Sequence, residues 1–338
     1  MKRKTSFLII FLFIFLSITA ASYGDNSGSR GSYTRGGWAG AKYIAAGMTG
    51  EVLVNDIYSI YWNPAGLTEL REKKQLTERQ ITEKAKEGKV DEITESDILN
   101  FSDSDSSRLF LNLGASYTKL DLERDAGFAG CAFNLFKGVI GVGVYSIMSS
   151  DIEERDESGN QIGNLNYSGS IGFLSYAMPW NIVSFGVSVK GFYESIGESS
   201  YTGAGMDCGF QIFLLPFIKV GIMLRDCFGY LHPYDAPKSE DRYDFFKPQI
   251  KTGIAFLSDT GFKIALSGSK KFEQSSFEYG IGIEYNIAGH LALIAGLNDN
   301  YFSAGFLINV LDIDISYALS FDKIDFGYNN TVSLAVLF

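Results

Sequence analysis

The stretch that decides the fold is FEYGIGIEYN, residues 277–286. Large apolar residues alternate in it with small or charged ones, and this period of two is that of a β-strand with two different faces. From residue 109 to the C-terminus the alternation continues through fourteen segments. They lie at 109–119, 126–136, 139–152, 161–178, 183–197, 201–215, 217–227, 247–257, 261–272, 276–288, 290–298, 300–311, 312–321 and 327–338.

One face of these segments is large and apolar, and the other is small, polar or charged. A soluble barrel would place the large residues inside, whereas a membrane barrel turns them toward lipid. Fourteen strands enclose a wide lumen, which Gly, Ser, Ala, Asp and Glu fill poorly. We therefore expect an all-β, 14-stranded antiparallel transmembrane barrel, whose lumen is either filled by another part of the chain or open as a pore.

The connections between the segments alternate in length. Short turns at 137–138, 179–181 and 258–260 alternate with longer polar connections such as 153–160 and 228–246. Short turns at one end and long loops at the other are typical of outer-membrane barrels. The last segment ends on Phe338, which resembles the terminal signal of bacterial outer-membrane proteins. An ordinary edge strand would also fit this ending.

Residues 1–24 have the composition of a signal peptide. Lys2, Arg3 and Lys4 precede an apolar core at 7–18, and small residues follow at 20–24. A retained membrane anchor is the alternative, but the core is shorter than the roughly 20 apolar residues that a span needs. We expect export through a cleaved signal peptide to the bacterial outer membrane, where lipid surrounds the barrel.

Charge and cysteine content limit the function further. Removing the three basic residues of the leader from a total of 29 leaves 26 against 39 acidic residues, a net charge of −13. This balance argues against nucleic acid as a partner. Three cysteines are an odd number and no disulfide framework, so we expect free thiols. The period of two places one of them, Cys208, on the lipid face.

Residues 25–70 precede the strands. Residues 25–35 are rich in Gly and Ser, which predicts a flexible start, and the rest is compact and too small to be a domain. Residues 40–67 read GAKYIAAGMTGEVLVNDIYSIYWNPAGL. This run resembles the N-terminal hatch of the FadL/TodX hydrophobic-compound transporters and of their PorV-type relatives. The resemblance implies a plug in the lumen, with its hatch motif at Trp62, Asn63, Pro64, Ala65 and Gly66.

The chemistry of this motif agrees with a plug tip. Pro64 fixes its own φ and favours an extended Asn63, while Gly66 permits a chain reversal. Tyr58 and Tyr61, with the neighbouring tryptophan, are expected to wedge the tip against the inner wall. A turn that ends a helix in a periplasmic segment is the alternative.

Residues 71–108 depart from the family pattern because they form a long, highly charged insert between the hatch and the first strand. Residues 75–86 have the composition of a helix. By strand parity the insert lies on the periplasmic side. It is either a solvated linker or a docking helix for a periplasmic protein partner.

Several charged residues fall on the polar face of the strands. A wet barrel interior is polar by default, so they serve a polar track, contacts to the plug or contacts to a ligand. Among them Lys190 is the strand cation that we expect to meet a carboxylate head group. The candidate luminal and ligand residues are Tyr58, Tyr61, Lys190, Asp207, Glu284, Asp312 and Asp314.

Catalysis finds little support in the sequence. The two histidines, His232 and His290, fall at opposite ends of the expected barrel, and no Ser/His pair is evident at its outer rim. We expect no enzyme, no metal and no cofactor.

The family resemblance implies an uptake channel for long-chain fatty acids or other hydrophobic compounds. Such a channel would capture the ligand with outer loops, bind it in an apolar pocket beside the hatch and release it by hatch movement or lateral opening. The loop at 228–246 is the candidate for capture. A PorV-like partner for secretion or surface attachment is the alternative, and a non-specific porin would need an open lumen.

Overall fold

The computed structural model describes residues 37–70, 110–121, 124–234, 243–258, 260–272, 277–287, 290–310, 312–323 and 327–338. The expected signal peptide at 1–24, the first residues of the segment 25–70 and the insert 71–108 lie outside the described residues. They stay predictions.

The chain forms a closed antiparallel β-barrel. Each strand pairs with its neighbour in sequence, β7 pairs with β9 past the two-residue β8, and β1 pairs with β15 to close the ring. Fourteen of the fifteen strands make up the wall, which confirms the predicted fold, and the two-residue β8 lies beside the outer end of β7. The strands are β1 (Leu111–Leu120), β2 (Arg124–Leu135), β3 (Gly138–Arg155), β4 (Gln161–Trp180), β5 (Val183–Ile196), β6 (Ser199–Leu215), β7 (Ile218–Pro233), β8 (Asp244–Phe245), β9 (Gln249–Leu257), β10 (Phe262–Lys271), β11 (Phe277–Asn286), β12 (Leu291–Asn298), β13 (Tyr301–Val310), β14 (Ile313–Asp322) and β15 (Tyr328–Leu337).

The two faces of the wall differ as the alternation predicts. Outward side chains such as Val144, Leu174 and Val332 are apolar and exposed, whereas luminal ones such as Ser188 and Thr331 are buried. Apolar groups outside and polar groups inside are the reverse of a soluble barrel, and they match a wall surrounded by lipid.

The barrel has a short-turn end and a long-loop end. Residues 136–137 join β2 to β3, and residues 181–182 join β4 to β5, at the short-turn end. Asn181 has a φ of 59°, a left-handed conformation that asparagine tolerates well. The last residues of β7 and the first residues of β9 belong to the long-loop end.

The predicted loop at 228–246 is shorter than expected. Strand β7 continues to Pro233, since residues 228–233 pair with β6 as far as Tyr201. Its outer end also pairs with β8, where Tyr230 lies opposite Phe245. The first six residues of the predicted loop are therefore strand, because the pairing continues past the point where the alternation weakens.

Residues 37–70, here called the luminal segment, lie inside the barrel. They form α1 (Ala41–Ala45), α2 (Gly50–Leu53), α3 (Ser59–Trp62) and a 3-10 helix (Pro64–Leu67). These elements have four or five residues each, too few to be stable alone, so the wall must hold them. Among the helices in the described ranges, none is both long and apolar enough to cross a bilayer.

Candidate functional site

The luminal segment crosses the barrel from one end to the other. Trp38 packs edge-on against Tyr301 near the long-loop end, with ring centroids 5.1 Å apart. At the short-turn end Thr68 donates a hydrogen bond to Ser184, 2.8 Å between the hydroxyl oxygens, and Glu69 pairs with Lys219. The lumen is thus occupied along its length, and the candidate site is the space that this segment leaves.

The Asn63-Pro64 pair fixes the inner part of the segment. Asn63 is extended, with φ −164°, and its Oδ1 accepts a hydrogen bond from the Ala65 amide at 3.2 Å to cap the 3-10 helix. Pro64 starts that helix, where its missing N–H costs nothing. The Asn63 Nδ2 donates to the Glu51 carbonyl at 2.8 Å and to the Phe210 carbonyl of the wall at 3.2 Å. This amide therefore ties two turns of the segment to β6.

Gly66 is needed because there is no room for a side chain, and not because the chain reverses its direction there. Its φ lies outside the left-handed region, but a Cβ at this position would lie 2.7 Å from the Val54 carbonyl oxygen. The sequence analysis expected Gly66 to permit a chain reversal through its backbone conformation, and this reason was wrong. The residue is small because two turns of the luminal segment pack directly on each other.

The three aromatic residues before the motif contact different partners. The Trp62 Nε1 donates to the Ala39 carbonyl at 2.6 Å, which holds two turns of the segment together. The Tyr58 hydroxyl lies 2.7 Å from the Ala115 carbonyl of the wall. Tyr61 packs against Tyr145 of β3, with centroids 4.9 Å apart. Tyr58 and Tyr61 thus contact the wall. Trp62 holds two turns of the segment together, and its ring centroid also lies 5.5 Å from the Nζ of Lys251 in β9.

Luminal glycines let the segment approach the wall. A Cβ added at Gly209 would lie 2.0 Å from the Asn63 Oδ1, and one at Gly221 would lie 2.2 Å from the Glu51 carbonyl oxygen. Such positions occur on nine strands, so the contact runs around the lumen. The glycines whose added Cβ would come within 3.0 Å of the luminal segment are Gly114, Gly141, Gly186, Gly209, Gly221, Gly253, Gly280, Gly282, Gly296 and Gly305.

A buried ion cluster lies beside the segment. The Lys190 Nζ is 2.6 Å from the Asp207 Oδ1 and also contacts Asp226. The Asp226 amide donates to the same Asp207 oxygen at 2.6 Å. All three side chains are nearly inaccessible to water. A ligand carboxylate could reach Lys190 only by displacing Asp207 or Asp226. The role of Lys190 is therefore to hold β5, β6 and β7 of the wall together.

A bulge in β7 creates this cluster. Met206 pairs with Phe228 and Cys208 with Leu224, so three residues of β7 lie opposite Asp207 alone. Asp226 has a φ of 49° and turns into the lumen. Parity alone would place it on the lipid face. The signal that sequence reasoning missed is the pair of adjacent charges at 225–226, which no regular strand can place on one polar face.

The remaining candidates lie apart from this cluster. Glu284 of β11 is 2.6 Å from the Lys263 Nζ and 3.9 Å from the Lys42 Nζ of the luminal segment. The Asp314 Oδ1 accepts a hydrogen bond from the side-chain Nδ2 of Asn309 at 2.5 Å. Asp312 is exposed at the turn between β13 and β14, because its strand begins only at the next residue. The charged candidates are therefore distributed between separate places in the lumen and the short-turn end, and they do not form one ligand site.

A cavity of about 410 Å³, here called the vestibule, opens between the luminal segment and the long-loop ends of the strands. Its floor includes Trp62 and Glu51. The wall adds four cationic side chains and two acidic ones, so the vestibule is mixed in polarity. The main lining residues are Met48, Glu51, Trp62, Arg124, Arg225, Gln249, Lys251, Lys271, Glu278, Asp299 and Tyr301.

Glu51 is the unusual group of the vestibule. It is 1% exposed, and within the described part of the chain its Oε1 has no hydrogen-bond partner. Burial raises the pKa of Glu51 to about 7, although Lys251 and Arg225 oppose the shift. Sequence reasoning missed this residue because its position on the vestibule floor depends on how the segment folds.

Replacement of Glu51 by glutamine is expected to remove a pH dependence of stability. The raised pKa means that the folded state holds this proton more tightly than the unfolded state, whose glutamic acid titrates near 4.5. The stabilisation is therefore fully present below about pH 4.5 and is lost as the pH rises to about 7, by on the order of 3 kcal/mol. Unfolding midpoints of the parent and of Glu51→Gln at pH 5 and pH 7.5 check this. Equal pH slopes for both proteins would contradict it.

A second, much smaller cleft lies between Tyr61, Phe173, Phe192 and the ion cluster, with room of about 10 Å³. That is space for about one water molecule. An apolar ligand would enter here only if aromatic side chains moved.

Catalytic and metal-binding groups do not converge in the described ranges. No group of three or more His, Cys, Asp or Glu residues there could hold a metal ion. His232 lies near the long-loop end of β7, and His290 lies in the turn before β12 at the short-turn end. The two histidines are at opposite ends of the barrel and cannot act together.

Comparison with known proteins identifies the fold. No protein-family model matches the chain, and no curated protein matches its sequence. Among solved structures, the toluene transporter TbuX of Ralstonia pickettii has a TM-score of 0.57 and 11% identity, over 88% of this chain and 97% of that one. A FadL homologue of Pseudomonas aeruginosa has a TM-score of 0.53 and 9% identity, over 89% and 97%. The chain therefore has the fold of the FadL-type transporters, a 14-stranded transmembrane barrel.

Proposed function

We propose that this protein is an outer-membrane uptake channel for long-chain fatty acids or other hydrophobic compounds, with the luminal segment as its hatch. The observation that carries the proposal is the vestibule of about 410 Å³ above a filled lumen. Its volume falls within the roughly 300–1,000 Å³ of ligand pockets. The fold shared with the toluene transporter and the FadL homologue supports the same class of solute.

The mixed lining of the vestibule suits an amphiphile better than a purely apolar molecule. Trp62, Met48 and Tyr301 supply apolar surface, while Lys251 and Arg124 supply cations. An apolar body would lie against the former and a polar head would meet the latter.

Capture would begin at the rim beside β8. Phe228, Tyr234, Tyr243 and Phe245 are exposed there, and Tyr230 packs against both Tyr243 and Phe245. A cluster of exposed aromatic rings attracts hydrophobic solutes by removing apolar surface from water. In our proposal these rings concentrate the solute before it enters the vestibule.

The test of this proposal is mass spectrometry of lipid that co-purifies with the protein extracted from membranes and never refolded. Met48→Trp narrows the vestibule, and Met148→Trp makes the same change on the outward face of β3, where the side chain is exposed. We expect bound hydrophobic compound in the parent and in Met148→Trp, and a several-fold loss in Met48→Trp. An empty parent barrel would contradict the proposal and favour the secretion-partner alternative.

Movement of the hatch can be tested by tying its inner end to the wall. The Thr68 and Ser184 hydroxyls are 2.8 Å apart, so Thr68→Cys/Ser184→Cys places two thiols at a distance that a disulfide can close. We expect oxidation of this variant to stop the uptake of labelled palmitate by cells and reduction to restore it. The single variant Thr68→Cys controls for oxidation as such. Undiminished uptake by the oxidised variant would instead favour lateral release through the wall.

A further inference from the structure

Cys208 and Cys227 lie side by side on the outward face of the wall. Their sulfur atoms are 3.8 Å apart across the strands β6 and β7. A disulfide bond is about 2 Å long, so small rotations of the two side chains would close this gap. The Cys227 thiol also lies 3.0 Å from the Met206 carbonyl oxygen, which keeps it directed toward β6.

The bulge in β7 is the cause of this proximity. Lys219, Met223 and Arg225 are buried in the lumen, so an uninterrupted β7 would direct Cys227 inward with them. Asp226 takes the inward position instead, and Cys227 turns outward next to Cys208. Regular pairing would place one residue of β7 opposite Asp207, and the bulge adds two more. The bulge thus brings the Asp226 carboxylate into the lumen and the Cys227 thiol onto the outward face, at the boundary between β6 and β7.

We propose that Cys208 and Cys227 form a disulfide in the mature protein, which locks the β6–β7 seam at the bulge that carries Arg225 and Asp226. Regular pairing is interrupted there, between the Met206–Phe228 and Cys208–Leu224 pairs. The covalent bond replaces the missing backbone contacts. It holds Asp226 against Lys190 from the opposite face of the wall.

Formation of the Cys208–Cys227 disulfide removes two electrons, so it needs an oxidant, which is here a protein thiol oxidant that carries a disulfide. One thiolate attacks a disulfide of a protein thiol oxidant, and a mixed disulfide forms with release of one oxidant sulfur. The second thiolate then displaces the remaining oxidant sulfur. The two cysteines lose two electrons and two protons in total, and the oxidant leaves as a dithiol. Exported proteins meet such oxidants before they reach the membrane, and this step rests on the export proposed above.

The third cysteine supplies an internal control. Cys131 lies on β2, paired with Leu113 and Val142, and three strands separate β2 from β6. It therefore stays a free thiol in this proposal, which revises the expectation that all three cysteines are reduced.

The experiment is alkylation of the full-length protein, trapped with N-ethylmaleimide during cell lysis and never exposed to a reductant. We expect one alkylated cysteine before reduction and three after it. Tryptic digestion without reduction should join residues 191–219, which contain Cys208, to residues 226–238, which contain Cys227. Three alkylated cysteines in the trapped protein, or a bond to Cys131, would overturn the proposal.

Serine variants separate the native bond from oxidation during handling. Cys131→Ser should leave the linked peptides unchanged, whereas Cys208→Ser should make Cys227 fully reactive to alkylation. A reductant is expected to lower the unfolding temperature of the parent but not that of Cys208→Ser/Cys227→Ser. An equal effect of the reductant on both proteins would show that the bond does not support the seam.

Discussion

Replacement of Lys190 by methionine is expected to lower the free energy of unfolding by about 3–5 kcal/mol. Lys190 is the cation that Asp207 and Asp226 share, and all three side chains are almost completely buried. Methionine keeps much of the length and the apolar stem but removes the charge. Two carboxylates then face each other in a site with little water, and repulsion adds to the loss of attraction. Urea unfolding of the reconstituted barrel measures the change.

Two control variants make this prediction specific. Lys119→Met removes the cation of an exposed pair with Asp125, 3.2 Å apart, and should cost less than about 1 kcal/mol. Lys190→Met/Asp207→Asn/Asp226→Asn removes the carboxylate charges together with the cation, so it should recover most of the lost stability. A Lys190→Met protein as stable as Lys119→Met would show that the cluster does not stabilise the wall.

The wall could be predicted from the sequence because its signal is local. Each strand must alternate between lipid and lumen, so residues 277–286 reveal their two faces without knowledge of any neighbour. The same rule fails at Asp226, where two extra residues shift the pattern. It also fails at Asp312, whose parity is luminal but whose place at a turn exposes it. The alternation of large and small residues shows which face of the wall a side chain lies on. It does not show whether the residue lies within a strand or at the turn that ends it.

In the luminal segment, too, features set by adjacent residues could be predicted, whereas contacts set by the folding of the whole segment could not. Asn63 caps the helix that Pro64 begins, and both roles follow from the residues themselves. The contacts of Asn63 with Glu51 and Phe210 depend on how the segment folds within the barrel. For the same reason the position of Glu51 on the vestibule floor could not be predicted from the sequence, whereas an aromatic wedge at Tyr58 and Tyr61 could be expected.

Replacement of Gly209 by valine is expected to displace the inner part of the luminal segment and to open the lumen to ions. The first added carbon would lie 2.0 Å from the Asn63 Oδ1, so this amide must move. Its movement breaks the hydrogen bonds to Glu51, Phe210 and Ala65 together. The strand itself tolerates valine well, since β-branched residues favour strands. The barrel should therefore assemble while the segment no longer fits.

Conductance across a planar lipid bilayer measures this opening. The parent lumen is occupied along its length and should pass little current, whereas Gly209→Val should show discrete open-channel steps. Gly172→Val is the matched control, because a Cβ at Gly172 has no neighbouring atom within 4 Å. It should remain as closed as the parent. Closed channels in Gly209→Val would mean that the segment can shift within the lumen and still seal it. Large steps in the parent would mean that the segment leaves the lumen readily, as the porin alternative requires.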